Sequence, residues 1–215
     1  MHHSTSKESY INHKAVGKIV IKLVLFDWGD VCCLYNLDVF NAFLKNRGYD
    51  KKIADAHFKE LKPQFDRAEI SEETFWNELS KKLRFKEHWS VLASENKKNL
   101  VVNWSLLDFI RGLKKKMPIA LLSNTDKTSI AVIKNEVNLP DYFNKVYFSS
   151  EHKMGKLEKP IVDKILKEFR VKPEEILFVD DFPGNIEKAK KIGMQTILFT
   201  EADDLKSKLK EFKVI

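Results

Sequence analysis

Five short apolar runs punctuate the chain: KIVIKLVLFD (18–27), PIALLSN (118–124), KVYFSS (145–150), EEILFVDD (174–181) and MQTILFT (194–200). Rich in β-branched and aromatic residues, they read as strands buried on both faces. Between the later runs, apolar positions recur at helical spacing over 126–137, 159–169, 184–192 and 202–212. Strand alternating with helix predicts an α/β fold, a parallel, doubly wound sheet with right-handed crossovers.

The first and second runs are separated differently, by an interval of roughly 85 residues with several helical stretches and no good strand. It reads as an inserted helical cap. Its clearest element is 71–83, where Ser71 can cap the helix, Glu72 and Glu73 occupy the first turn, and Phe75, Leu79 and Leu83 share a face. Segments 37–46 and 104–113 are also amphipathic, and the chain crossings near 31–36 and 99–105 are the natural hinges. The expected organisation is a polar tail over 1–17, a core of 18–33 and 104–215, and a cap domain of 34–103.

A chain of 215 residues with 43% hydrophobic content is long enough for one core carrying a smaller insertion. No apolar stretch reaches the roughly 20 residues of a membrane span, and the N-terminus lacks a signal-like apolar segment, so the expected setting is cytoplasmic, with no membrane partner. Two adjacent cysteines, Cys32 and Cys33, exclude a disulfide framework and are expected to pack near the crevice. The net charge of +7 raises nucleic acid as a partner, but the lysines alternate with glutamates, and the runs at 81–86, 114–116 and 206–213 read as solvated helix faces. A mild positive field favours an anionic substrate instead. Trp76, Trp89 and Trp104 read as packing residues of the cap and hinge, and the six histidines show no metal spacing.

Ligands of open parallel sheets bind beyond the carboxyl ends of the strands. The first run ends in Asp27, the second in Ser123 and Asn124, and the fourth in Asp180 and Asp181, while Lys156 follows the third. Acids, a hydroxyl and an amine would converge on one crevice. That inventory suits phosphoryl transfer, in which a carboxylate attacks phosphorus while the repulsion between two anions is neutralised. Mg²⁺ prefers oxygen ligands, which Asp27 and Asp181 could provide. Ser123 and the Asn124 N–H could hold phosphate oxygens, and Lys156 could pair with phosphate and Asp27. Plainer readings stand beside these: Asp27 as a turn residue, Ser123-Asn124 as a helix cap, and Lys156 as an exposed lysine. Adjacent acids after ILFV, however, are costly without a cation.

FDWGDV (26–31), LLSNTD (121–126), SSEHKMGK (149–156) and FVDDFPGNIEKAKKIG (178–193) resemble the four ordered motifs of the haloacid dehalogenase superfamily. The similarity covers about 19–200, including RAEISEETFWNEL (67–79), which resembles part of that superfamily's helical cap. Within it, the chain resembles the small sugar-phosphate phosphatases of the alpha-D-glucose-1-phosphatase type and, more loosely, the phosphatase domain of soluble epoxide hydrolase. The resemblance implies a Rossmann-like core and Asp27 as nucleophile. It implies Ser123 and Asn124 as phosphate ligands, Lys156 as the stabilising lysine, and Asp180 and Asp181 as the metal-binding pair. Lys159, in a Lys-Pro pair, competes with Lys156; spacing to Asp180 favours Lys156. One position departs from the pattern: Gly29 stands where a second aspartate usually serves as acid and base. Its carbonyl can bind Mg²⁺ but moves no proton, and Asp30 is the nearest substitute. The expected activity is Mg²⁺-dependent hydrolysis of a small phosphorylated metabolite, with sugar phosphates as candidates, by a monomer or homodimer. The alternatives are a 2-haloacid dehalogenase and a non-catalytic phosphate-binding protein.

Overall fold

A computed structural model describes residues 19–215; the expected tail over 1–17 lies outside the described residues. The first strand, β1 (Leu23–Phe26), begins later than the apolar run that contains it. Its pairings start at Leu23 with Ile176 and at Val24 with Ile119, so Ile19 and Val20 precede the sheet and stay exposed. After β1 come a short strand β2 (Cys33–Tyr35) and four helices: α1 (Leu37–Asn46), α2 (Lys51–Asp66), α3 (Glu72–Leu83) and α4 (Ser90–Lys97). A second short strand, β3 (Leu100–Val102), leads into α5 (Trp104–Lys114), β4 (Ile119–Ser123) and α6 (Lys127–Glu136). The chain then forms β5 (Lys145–Phe148), the single turn α7 (Ser149–His152), α8 (Lys159–Phe169), β6 (Ile176–Asp180), α9 (Pro183–Ile192), β7 (Gln195–Leu198) and α10 (Ala202–Glu211).

The main sheet is wholly parallel, in the order β5-β4-β1-β6-β7. Alternation along β1 divides the core into two layers, as a strand period of two requires. Val24 and Phe26 pack toward α5, α6 and α10 through Leu106, Ile110, Ile130, Ile133 and Leu205. Leu23 and Leu25 pack toward α8 and α9 through Ile161, Ile165, Ile186 and Ala189. β1 is central, and the strand following it in the order of winding lies on opposite sides in the two halves, β4 on one and β6 on the other. A crevice therefore opens at their carboxyl ends.

The interval between β1 and β4 does contain strand, contrary to expectation. β2 and β3 form an antiparallel ribbon, Cys33 opposite Val102 and Tyr35 opposite Leu100. Three residues per strand are too few to show alternation, and the pairing is made across the whole insertion. Asn99 fastens the same place: its carbonyl accepts from Asn36 N at 2.7 Å, and its side-chain oxygen accepts from Phe40 N at 3.0 Å. The four helices have their own core, built on Phe40, Leu44, Phe65, Phe75, Trp76, Leu79 and Leu92. Ser71 caps α3 by accepting from Thr74 N at 3.0 Å, worth about 1 kcal/mol against alanine. No helix among the described residues is long and apolar enough to cross a membrane.

Candidate active site

Asp27 is the first residue past β1, held in line by its N–H donating to the Val179 carbonyl at 2.9 Å. Its Oδ1 accepts from Trp28 N at 2.6 Å, and its Oδ2 lies 2.7 Å from Lys156 Nζ. Asp180 ends β6, and its Oδ2 lies 2.8 Å from the same amine. Its carboxylate also accepts from Phe182 N at 2.9 Å and from Asn185 Nδ2 at 3.0 and 3.1 Å. One buried lysine thus bridges two buried carboxylates. Burial works to lower the Lys156 pKa, but Asp27 and Asp180 outweigh it and hold the amine above its ordinary range.

Burial pushes Asp27 up to about 7 against the pull of Lys156, with Asp180 adding to the rise. Asp181, half-buried beyond β6, is also raised, first by burial and then by Asp180 and Asp30. Carboxylate oxygens of Asp27, Asp180 and Asp181 all lie within 4.8 Å of one another. No cationic side chain among the described residues pairs with Asp181 or Asp30.

Ser123 closes β4, buried, with its Oγ 2.7 Å from Thr125 Oγ1. Asn124 braces the neighbouring loop through its side chain, whose Oδ1 accepts from Lys156 N at 2.7 Å and so ties the lysine to the end of β4. The cap of α6 is Asp126, which accepts from Thr128 N and Ser129 N, so Ser123 and Asn124 are not needed to cap it. Lys159 points elsewhere; its side chain is 82% exposed and pairs with Asp163 at 2.5 Å. Cys32 and Cys33 are buried free thiols, raised by burial first.

Asp27, Gly29, Asp30, Ser123, Asn124, Lys156 and Asp181 all line one cavity of about 370 Å³. Asp30 has φ of 50° and accepts from Tyr35 N at 3.0 Å through Oδ1. The cavity's other wall, supplied by the insertion, includes Tyr35, Phe58, Lys62, Glu72, Trp76 and Lys97, none of which was identified as a site residue from sequence. Trp76, expected only to pack, also lines this wall, and Trp104, expected to pack, is half-exposed. Nothing in the sequence marks Lys62 or Lys97 among so many surface lysines. The mild positive field expected from net charge is reversed locally: five carboxylates (Asp27, Asp30, Glu72, Asp126 and Asp181) line the cavity against three lysines.

A family model for haloacid dehalogenase-like hydrolases matches residues 21–193. The chain is 28% identical to a D-ribitol-5-phosphate phosphatase of Bacteroides thetaiotaomicron over 193 residues, covering 82% of this chain and 91% of that protein. It is 25% identical to drimenol cyclase drtB of Aspergillus calidoustus over 198 residues, 88% of this chain, and spans 36% of the cyclase's length. A HAD family enzyme of Bacteroides thetaiotaomicron, solved in complex with magnesium and inorganic phosphate, superposes with a TM-score of 0.73 at 23% identity, covering 84% of this chain and 94% of that one. The matched span contains the whole sheet except the last strand, and every strand-end residue of the cavity. The chain belongs to the haloacid dehalogenase-like hydrolases.

Proposed function

We propose that the protein is a Mg²⁺-dependent phosphatase that hydrolyses a small phosphate monoester through an aspartyl-phosphate at Asp27. One observation carries the reading: carboxylate oxygens of Asp27, Asp180 and Asp181 lie within 4.8 Å of one another, Lys156 bridges the first two, and Asp27, Lys156 and Asp181 line a cavity together with Ser123 and Asn124. The phosphatase relative and the magnesium-phosphate complex of the structural neighbour support it.

In the first step, a carboxylate oxygen of Asp27 attacks phosphorus and the bond from phosphorus to the ester oxygen breaks; that oxygen takes a proton from water and departs as the alcohol. Water then attacks the phosphorus of the acyl phosphate, releasing inorganic phosphate and restoring Asp27. Trp28 N and Lys156 fix the attacking carboxylate in place, which supplies orientation before substrate arrives. The Ser123 hydroxyl, the Asn124 N–H and Lys156 hold the non-bridging oxygens, where charge must be stabilised in flight.

An excess of carboxylates would repel a phosphate, and that excess is what an oxygen-seeking divalent cation fits. Asp181, with no cation beside it, and Asp27 would hold Mg²⁺ with the Gly29 carbonyl. Asp180, whose oxygens are occupied by Lys156, Phe182 N and Asn185, steadies the site from behind. Bound there, Mg²⁺ would supply the charge neutralisation that lets a carboxylate approach a phosphate dianion. Residues 34–103 serve as the cap domain, excluding water above a core of 18–33 and 104–215.

The test is phosphate release from an aryl phosphate by the full chain, with and without Mg²⁺. Metal-dependent release that disappears in Asp27→Asn is expected. Metal-independent halide release from a 2-haloacid, or no reaction with either compound, would overturn the reading.

A further inference from the structure

Three lysines line the cavity, and each is already paired. Lys156 bridges Asp27 and Asp180. Lys62 is bound to Asp66 and lies 3.8 Å from Asp126. Lys97 lies 3.2 Å from Glu72. Among the described residues, no arginine lines the cavity. A carboxylate or second phosphate on the leaving group would therefore lose its water without gaining a free cation, and would meet Glu72 and Asp30 instead.

The same wall is also poor in uncharged hydrogen-bonding groups. From the insertion, Tyr35, Asn96 and Trp76, through its indole N–H, are the uncharged hydrogen-bonding residues that line the cavity, set among Leu37, Phe58, Phe65 and Phe75. A polyol would need a partner for each hydroxyl, because a hydroxyl buried against aromatic carbon forfeits its bonds to water. The volume of about 370 Å³ sits near the lower end of the roughly 300–1,000 Å³ typical of small-molecule sites. A phosphate and one ring-sized group suit such a space.

We propose that the leaving group is an uncharged alcohol with an apolar flank, aromatic or branched aliphatic, and that the Glu72–Lys97 pair excludes anionic leaving groups by keeping Lys97 occupied. The proposal rests on the phosphatase reading and narrows it. Aromatic faces supply the attraction, and paired charges supply the discrimination.

The experiment compares kcat/KM for benzyl phosphate, a pentitol 5-phosphate and phosphoglycolate, all esters of primary alcohols, with the full chain and Mg²⁺. Benzyl phosphate is expected to lead each of the others by about tenfold or more. Glu72→Gln, which leaves Lys97 unpaired, should raise the ratio of phosphoglycolate to benzyl phosphate by about tenfold, and adding Lys97→Met should return it. A wild type that prefers the pentitol ester or phosphoglycolate, or a ratio that Glu72→Gln leaves unmoved, overturns the inference while the phosphatase reading stands. Absence of phosphate release from all three esters overturns the inference, and absence of release from the aryl phosphate as well overturns both.

Discussion

The ring of Tyr35 stands over Gly29 so closely that a β-carbon on the glycine would lie 3.1 Å from Tyr35 Cε2. The missing carboxylate two residues after Asp27 is therefore matched by a bulky residue eight positions from the nucleophile. Asp30 is not free to replace it fully, since one of its oxygens is bound to Tyr35 N. Gly29→Asp alone is expected to destabilise the protein by about 1–3 kcal/mol through overpacking and to lower activity. With Tyr35→Ala added, the loss should shrink, giving a coupling of roughly 0.5–3 kcal/mol in a double-mutant cycle. Thermal unfolding of the four proteins checks this, and additive effects would show that the ring simply moves aside.

Asp27→Asn should lower turnover by at least roughly 10⁴-fold, since an amide cannot attack phosphorus. The fold should persist, because Lys156 keeps Asp180 and no apolar contact is lost. In a chelator, the Tm of the variant should match or exceed that of the wild type, as one charge leaves a crowded carboxylate cluster. A collapse in Tm would assign Asp27 a structural role instead.

Mg²⁺ should raise the Tm of the wild type, by an amount equivalent to about 2.7 kcal/mol when the metal is at a hundred times its Kd. Asp181→Ala should erase most of that increment while changing the metal-free Tm little, since no side-chain ion pair is broken among the described residues. An undiminished Mg²⁺ shift in this variant would move the metal site elsewhere.

His57 predicts an acid-sensitive insertion. It is fully buried on α2, its ring 4.6 Å from that of Phe75, and neither ring nitrogen meets a side-chain hydrogen-bond partner among the described residues. Burial, reinforced by Lys82, holds its pKa below the ordinary histidine value of about 6.5, although the Phe75 backbone and then Glu60 and Glu78 pull the other way. Below that value, the unfolded chain takes up the proton more readily than the folded one. The stability is thus fully present above about pH 6.5 and lost as the pH falls through and below it, at no more than about 1.4 kcal/mol per pH unit for one proton. Tm measured from pH 7.5 to 5.5 should fall more steeply in the wild type than in His57→Leu. Parallel slopes would place the acid sensitivity in other groups.

Legibility in the sequence followed the range of the interactions. Five apolar runs announced the sheet, although only the inner strands β1, β4 and β6 are buried along their whole length while the edge strands β5 and β7 are partly exposed, and the strand-end polar residues followed from where those runs stop. Helix 51–66 was harder to read: Pro63 stands in its last turns, where proline normally signals an end. β2 and β3 were invisible because each is three residues long and finds its partner some 65 positions away. The wall formed by Tyr35, Lys62, Glu72, Trp76 and Lys97 depends on how helices of the insertion lie over the sheet, which no local spacing encodes. Gly29 could be seen as a departure from a pattern, but the reason for it required Tyr35 to be placed above it.

The ribbon of β2 and β3 has a consequence for how such a chain can change. Because the way out of the core and the way back are hydrogen-bonded neighbours, some 5 Å apart, the gap that the helices bridge is no wider than a tight turn could span. The segment between Tyr35 and Leu100 can therefore lengthen, shrink or be exchanged without altering how β1, β4 and β6 pair, at the cost of its contacts to the core such as Ser149 Oγ donating to the Asp66 carbonyl at 2.6 Å. The chemistry and the choice of what it acts on are thereby placed under separate control, the first in the floor of the crevice and the second in a detachable roof.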